Sequence, residues 1–364
     1  MGVIALSTGG RLYLLIALLL VSLFLLALIS ALWASATLQV TFTLAESSVP
    51  HGDPVNLTIH AQQLCPLPIA PLRVTVAAPE GDETLRIVVP PMRRHKVLLH
   101  LFCPHVGQYE AGLTRVATED VFGLFSFSAN RNTRQETILV LPRTEKITPL
   151  QFSPGDYENE LISRATEDLT SPSGVRAYQP GDSLKKIHWK LSLRKREPLS
   201  KTYDQPLRPD ALILLDCMPP FAQEEPRAVQ DRLCDLAASL CSMLMAEEAA
   251  VRMPLLGRMI EEITLGRGSV LSSVLASLAR MGFTGITPLE RVLELECQRM
   301  RRGGATVVLT SALTPGCVDC ILRLRRLGPW VRVYLVTKTQ TEMDVVLGQK
   351  LLQNDIELLY EDAP

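Results

Sequence analysis

The chain has almost no charge of one sign to spare. Its 364 residues carry 37 Lys and Arg against 38 Asp and Glu, a formal net charge of −1. The clearly basic domain expected of a nucleic-acid binder is therefore missing. Aromatic side chains make up only 5% of the chain, too few for a base-stacking platform. Nucleotide signatures are missing as well. No glycine loop is followed by Lys and Ser/Thr. Gly266-Arg267-Gly268 supplies two glycines of a dinucleotide fingerprint, but Leu271 stands where the third belongs. Neither a His-Glu-x-x-His nor a Gly-x-Ser-x-Gly occurs, which removes the commonest zinc-hydrolase and serine-hydrolase patterns. No cofactor is expected. The eight cysteines are scattered through apolar stretches rather than set in a tight framework, a usage that suits a reducing compartment. Cys234 and Cys241 share one side of a helical pattern and read as small core residues. Cys317 and Cys320 form a Cys-x-x-Cys without a second ligand pair, so two helix-start cysteines with no function is the simplest reading.

What the sequence does have is one long uncharged run. From Leu12 to Trp33 the only hydroxyl side chains are Tyr13, Ser22 and Ser30. A spanning helix needs about 20 apolar residues, and a soluble core helix rarely needs apolar residues on every face for this length. The other competitor is a cleaved signal peptide, for which Ala34-Ser35-Ala36 has the small-x-small form. The run exceeds the roughly 7–15 residues of a signal core, and Arg11 alone supplies an upstream charge. Residues 1–36 are thus read as a membrane anchor with one transmembrane helix over 12–33.

Beyond the anchor lie three further regions. Residues 37–150 show short runs of period-two alternation, such as Val40, Phe42 and Leu44, or Val55, Leu57 and Ile59, separated by turns such as Pro50-His51-Gly52-Asp53. That pattern predicts an all-β, immunoglobulin-like sandwich. Residues 151–208 lose periodicity and form a connecting region. Residues 209–364 alternate short continuous apolar runs (211–215, 305–310, 331–337) with amphipathic helical stretches (227–247, 288–301, 317–327). A doubly wound, mostly parallel α/β domain is predicted there.

The connecting region holds the densest group of reactive side chains: Arg176, Tyr178, Gly181, Asp182, His188 and Trp189. Pro180-Gly181-Asp182 is a turn signature, since Pro presets φ, Gly accepts φ > 0 and Asp can cap the next stretch of backbone. A cap at Asp182 would start a short helix over Ser183–Lys190, with Ile187 and Trp189 turned inward. One reading is an acid–base cluster of Arg176, Asp182 and His188. The other is an interdomain staple, with Arg176 paired to Asp182 and the aromatics wedged between domains. On the staple reading, Trp189→Ala costs about 3–5 kcal/mol. A basic run surrounds the group: Lys185, Lys186, Lys190, Arg194, Lys195, Arg196 and Lys201, against Glu197 alone. It reads as a solvated face, a surface for anionic lipid heads or a patch for an acidic protein partner. Asp216 ends the first α/β strand, where ligands of open α/β sheets bind. It is a weak metal candidate, because Met218 and Pro220 stand where hydroxyl oxygens would be needed. No metal is expected.

Several of these segments together resemble a known family of bacterial membrane proteins, the domain of unknown function fifty-eight family. The resemblance rests on Arg176-Ala177-Tyr178-Gln179-Pro180-Gly181-Asp182, Lys186-Ile187-His188-Trp189-Lys190, Ser192-Leu193-Arg194 and Leu199. Upstream it extends to Asp120-Val121-Phe122-Gly123-Leu124-Phe125 and Val140-Leu141-Pro142-Arg143, and downstream to Leu214-Leu215-Asp216. It implies a von Willebrand factor type A-like module for the α/β domain and a MoxR-type AAA ATPase as partner, acting in the assembly or activation of other complexes. It also implies a pair of close transmembrane helices. Leu12–Trp33 resembles the second of these, with Gly9-Gly10 at the hairpin turn. Charge bias alone, with Arg11 before the helix and no Lys or Arg between Ala34 and Leu72, favours domains outside. The resemblance and the cysteine usage favour domains on the cytoplasmic side of the cell membrane, which is the expectation taken. The leading functional expectation is a non-enzymatic, membrane-anchored assembly protein. The alternative is an envelope hydrolase using Asp182 and His188.

Overall fold

A computed structural model describes residues 11–64, 71–119, 124–129, 133–150, 174–178, 187–202, 211–220, 223, 225–257, 260–266, 268–299 and 304–363. The chain divides into two compact units. One runs to Arg143 and includes Leu275–Arg280; the other comprises Thr144–Val274 and Met281–Pro364.

The first unit begins with helix α1, Arg11–Thr37. Leu14–Thr37 is long and apolar enough to cross a membrane. One side of its C-terminal half is small: Ala27, Ser30, Ala31 and Ala34 are buried, and Phe24 meets Phe125 edge-on at 5.0 Å between ring centroids. The remaining surface stays apolar and exposed from Leu14 to Trp33, about 30 Å at 1.5 Å per residue.

The next nine strands are β1 (Gln39–Leu44), β2 (Ser48–Pro50), β3 (Pro54–Gln62), β4 (Leu72–Ala77), β5 (Glu83–Ile87), β6 (Arg94–Phe102), β7 (Gly107–Glu119), β8 (Ser126–Ser128) and β9 (Gln135–Leu141). They form two sheets, β1-β3-β6 and β2-β9-β7-β4-β5, with β8 added to β7. The alternation read from the sequence is what packs them. Val55, Leu57, Ile59 and Ala61 of one sheet share a core with Leu72, Val74, Val76, Ile138 and Val140 of the other, because alternate side chains of a strand point to one face. The unit is a β-sandwich. Strand β7 breaks the alternation once. The register against β4 shifts between Thr75 and Val76, so Thr114 and Arg115 are both exposed while Leu113 and Val116 both enter the core, as a β-bulge requires. Gly112 stands just before it with φ +145°, and a Cβ there would lie 2.4 Å from the Arg134 carbonyl oxygen.

In the second unit, β10 (Gly174–Ala177) and β11 (Leu199–Thr202) pair antiparallel, with the short helix α2 (Trp189–Lys195) ahead of β11. The α/β part then runs β12 (Ala211–Leu215), α3 (Pro226–Ala246), β13 (Val251–Leu256), β14 (Ile260–Leu265), α4 (Leu271–Met281, of which Leu275–Arg280 falls in the first unit), α5 (Leu289–Arg299), β15 (Ala305–Thr310), α6 (Pro315–Arg326), β16 (Trp330–Val336), α7 (Glu342–Leu352) and β17 (Glu357–Glu361). The sheet order is β14-β13-β12-β15-β16-β17. Five strands are parallel, and β14 returns antiparallel beside β13. Every residue of β12 and β15 is buried, as expected of central strands covered on both faces. Leu212 and Leu214 pack with α5, α6 and α7, while α3 lies across the opposite face.

Residues 144–150, read from the sequence as the end of the β-region, belong to the second unit. Glu145 donates its N–H to Ser239 Oγ at 2.9 Å and its carboxylate accepts from Arg232 at 2.7 Å. Leu150 is buried. No apolar alternation drives this strap; polar anchors on α3 and β16 hold it.

Candidate functional site

Two places in the second unit collect the residues singled out by the sequence, and a third collects residues the sequence reading passed over.

The first is the segment around α2. Gly181, Asp182, Lys185 and Lys186 lie outside the described residues, as do the Ser183–Lys186 turns expected after Asp182. Arg176 is placed on β10 opposite Ser200. Tyr178 donates its backbone N–H to the Pro198 carbonyl at 2.9 Å. The helix itself starts later than expected, at Trp189, with His188 as its N-cap: the Leu191 N–H donates to His188 Nδ1 at 3.2 Å. Ser192 fixes the helix to β11, accepting from the Leu199 N–H at 2.9 Å while its hydroxyl donates to the His188 carbonyl at 3.1 Å. Ile187 and Leu199 are buried beneath it. The helix therefore turns its other side outward. Trp189 is 62% exposed and Leu193 78%; Lys190, Arg194, Lys195 and Arg196 are exposed as well. The inward wedge expected of Trp189 is overturned. Residues 191 and 192 take the inner side, and at 100° per residue position 189 then falls on the outer arc.

The second place is the carboxyl edge of the parallel sheet. Asp216 accepts from the Met218 N–H at 3.1 Å, and its other oxygen lies 2.9 Å from Thr310 Oγ1. Burial pushes the Asp216 carboxyl above the usual aspartate range, against the lowering effect of these two hydrogen bonds. The Thr310 hydroxyl also lies 2.9 Å from the Ala312 carbonyl. It has one hydrogen to give. When Asp216 is ionised that hydrogen goes to the carboxylate. When Asp216 is protonated it donates to Thr310, which is then free to donate to Ala312. Gln223 spans the neighbouring strand ends, donating to the Ser311 carbonyl at 3.0 Å and accepting from Thr337 Oγ1 at 3.1 Å. Met218 and Pro220 come after Asp216 with no side-chain oxygen. Among the described residues, no group of three His, Cys, Asp or Glu side chains is arranged to hold a metal ion.

Among the described cysteines, Cys297 is half-buried and the others are buried. Cys234 and Cys241 on α3, and Cys317 and Cys320 on α6, are free and buried. Burial pushes the Cys317 thiol up to about 12, helped by the negative charges of Asp216 and Glu290, and the Cys241 thiol likewise to about 12. Thiols so far from ionising are poor nucleophiles at neutral pH.

The third place is Arg332, in the middle of β16 and fully buried. Its guanidinium donates to both oxygens of Glu357 at 2.9 and 3.1 Å, and to the Thr148 and Pro149 carbonyls at 2.8 and 3.0 Å. Trp330 and Tyr334, two residues away on either side, flank it at 4.9 and 5.9 Å from their ring centroids. It pins the strap within the second unit, whereas the staple expected around Trp189 is one between domains. The signal was present: a lone Arg inside Trp330–Val336, an otherwise apolar strand, has to be paired if it is buried.

No family model matches the chain. It is similar to the uncharacterized protein YeaD of Bacillus subtilis (strain 168), with 24% identity over 216 residues, covering 54% of this chain and 52% of that one. The chain thus spans about half the length of the curated relative it matches. Among solved structures it is similar to the CARDB domain of a Pyrococcus furiosus protein in complex with di-metal ions, at 12% identity, covering 28% of this chain and 91% of that one with a TM-score of 0.23. It is also similar to the PKD domain of an M14-like peptidase from a Thermoplasmatales archaeon, at 13% identity over 28% and 91% of the two chains, with a TM-score of 0.20.

Proposed function

We propose that the protein is a membrane-anchored assembly factor whose second unit is a von Willebrand factor type A-like docking module for a MoxR-type AAA ATPase. In this reading α1 holds the chain in the cell membrane, the immunoglobulin-like sandwich and the α/β unit lie on the cytoplasmic side, and the basic run from Lys185 to Arg194 steers an acidic partner surface.

The observation that carries the reading is the arrangement of the second unit. A sheet of order 3-2-1-4-5-6, with one antiparallel edge strand, leads from its first strand into Asp216. Against Asp216 stand the Met218 N–H and the Thr310 hydroxyl, with Gln223 across the neighbouring strand ends, a set with no evident nucleophile among the described residues. Beside this sheet in sequence stands a short helix with Trp189, Leu193 and four cations facing solvent. A module with these features has surfaces to offer rather than a reaction to run. The hydrolase alternative would need His188 as a base, but its Nδ1 lone pair accepts from the Leu191 N–H, so the neutral ring carries its proton on Nε2 and keeps no free lone pair for that role.

The test is interferometry between the full chain in detergent and the MoxR-type ATPase encoded nearest its gene, at low and high salt, with ATP and with ADP. Association is expected, and Lys185→Glu, Lys186→Glu and Lys190→Glu together should weaken it. That loss should shrink as salt rises, because screening removes the same attraction from the unaltered chain. Absence of binding in all four conditions overturns the reading.

A further inference from the structure

We propose that the outer face of α2 is a contact surface for the head-group layer of an anionic lipid bilayer; this rests on the reading that α1 anchors the chain in a membrane.

The face consists of two parallel ridges. Trp189 and Leu193 are four residues apart and form the apolar one; Lys190 and Arg194, also four apart, form the cationic one beside it. Residues four apart on a helix are neighbours, so each pair makes a continuous strip. Lys195 ends the helix and Arg196 caps it, both exposed and cationic, with the exposed Glu197 next. The inner side is fixed by Ser192, Ile187 and Leu199. The outer side chains are thus held on a rigid support and do not collapse onto the unit.

This chemistry matches a bilayer interface at each point. The indole ring is amphipathic and prefers the head-group level. Leu193 supplies a shallow apolar insertion. The Lys and Arg stems can lie along apolar surface while their charges stay among phosphates, and anionic lipids attract such clusters. The run that steers a protein partner reaches back to Lys185, whereas for the Trp189–Leu193 ridge itself a protein is the less favoured occupant. A ridge two side chains long on a seven-residue helix is small beside the roughly 800 Å² per partner of a stable interface. A bilayer does not require that area from one helix, because a chain already tethered by α1 meets the lipid at high effective concentration.

The test uses the full chain reconstituted in vesicles of phosphatidylcholine, with and without phosphatidylglycerol. The chain has three tryptophans, Trp33, Trp189 and Trp330. Trp33→Phe with Trp330→Phe leaves Trp189 as reporter; Trp189→Phe with Trp330→Phe leaves Trp33, on α1, as the anchoring control. With brominated lipids, Trp189 fluorescence should be quenched in the anionic vesicles. The quenching should be lost in phosphatidylcholine alone, in about 1 M salt, where the screening length falls to about 3 Å, and on adding Lys190→Glu with Arg194→Glu. If Trp33 is quenched and Trp189 is not, the face does not touch lipid and the proposal fails while the anchor stands. If Trp33 itself is not quenched, the anchoring reading fails and takes the proposal with it. Equal quenching of Trp189 with and without anionic lipid overturns the charge recognition. Trp189 shielded from acrylamide but not quenched by bromolipid assigns the face to a protein instead.

Discussion

Two groupings in the second unit look alike along the chain. Each places a tryptophan close to a basic residue: Trp189 beside Lys190 and Arg194 on α2, and Trp330 two residues before Arg332 on β16. In the folded unit they behave oppositely. Arg332 is fully buried, flanked by two rings and held by Glu357 and two carbonyls. Trp189 is 62% exposed and its neighbouring cations face solvent. The difference lies in what each element has to cover. β16 is an inner strand of a sheet with helices on both faces, so its residues have nowhere to go but inward, and a cation there persists only if every donor finds an acceptor. The short helix α2 covers a two-stranded ribbon and has a single inner side, already filled by Leu191 and Ser192. The buried grouping contributes to stability, and the exposed one is free for recognition.

The comparison would break first at Arg332. Arg332→Ala removes a fully buried long side chain together with its bonds to Glu357, itself 33% exposed, and to the Thr148 and Pro149 carbonyls, and cutting a buried side chain of this length to Ala costs about 2–5 kcal/mol. Urea unfolding of the variant should show a loss of that size. The strap at 144–150 should become susceptible to limited proteolysis, since its main anchor is gone. A midpoint within error of the unaltered chain would mean the pair contributes nothing.

Next in size is Ser192→Ala, which leaves the buried Leu199 N–H without its acceptor. An unsatisfied buried donor costs about 1–3 kcal/mol, and the loss should appear as faster hydrogen exchange at Leu199 before any change in the β-sandwich.

Asp216→Asn should act in the other direction. The folded carboxyl titrates above its unfolded value because it is buried. The folded state therefore binds the proton more tightly, and the stability this gives is full below the unfolded pKa and lost as pH rises through the folded one. The ionised form carries a burial cost that the Met218 and Thr310 hydrogen bonds only partly offset. The Asn variant should be more stable than the unaltered chain at pH 7, with the gap closing near pH 4. Equal stability at pH 7 would show that Asp216 ionises there at no cost.

The smallest effect belongs to Trp189→Ala, expected to move the denaturation midpoint by no more than about 0.5 kcal/mol, as surface substitutions do. A loss of several kcal/mol would return Trp189 to the role of a wedge.

Much of the architecture was legible because it arises from periodicity. The two-residue alternation of β3 and β4, the continuous apolar runs of β12 and β15, and the three- and four-residue spacing along α3 each record which side of an element meets the core. The bulge in β7 was not legible, since an extra residue in one strand makes sense only against the register of its neighbour. The candidate residues were legible as a group, and their roles were not. His188 stood out as a titratable group, yet its ring caps the helix it precedes.

The apolar helix, the order of all-β and α/β regions, the strands and helices of the α/β part, and Cys234 and Cys241 as core residues could all be read along the chain. These depend on local period, length and polarity, which short windows of the chain contain. That Trp189 faces solvent, that Arg332 pins the strap, and that residues 144–150 belong to the second unit emerged with the packed fold. Burial depends on what other segments bring to the same place, as when Glu357 and the Thr148 carbonyl, distant in the chain, meet at one guanidinium.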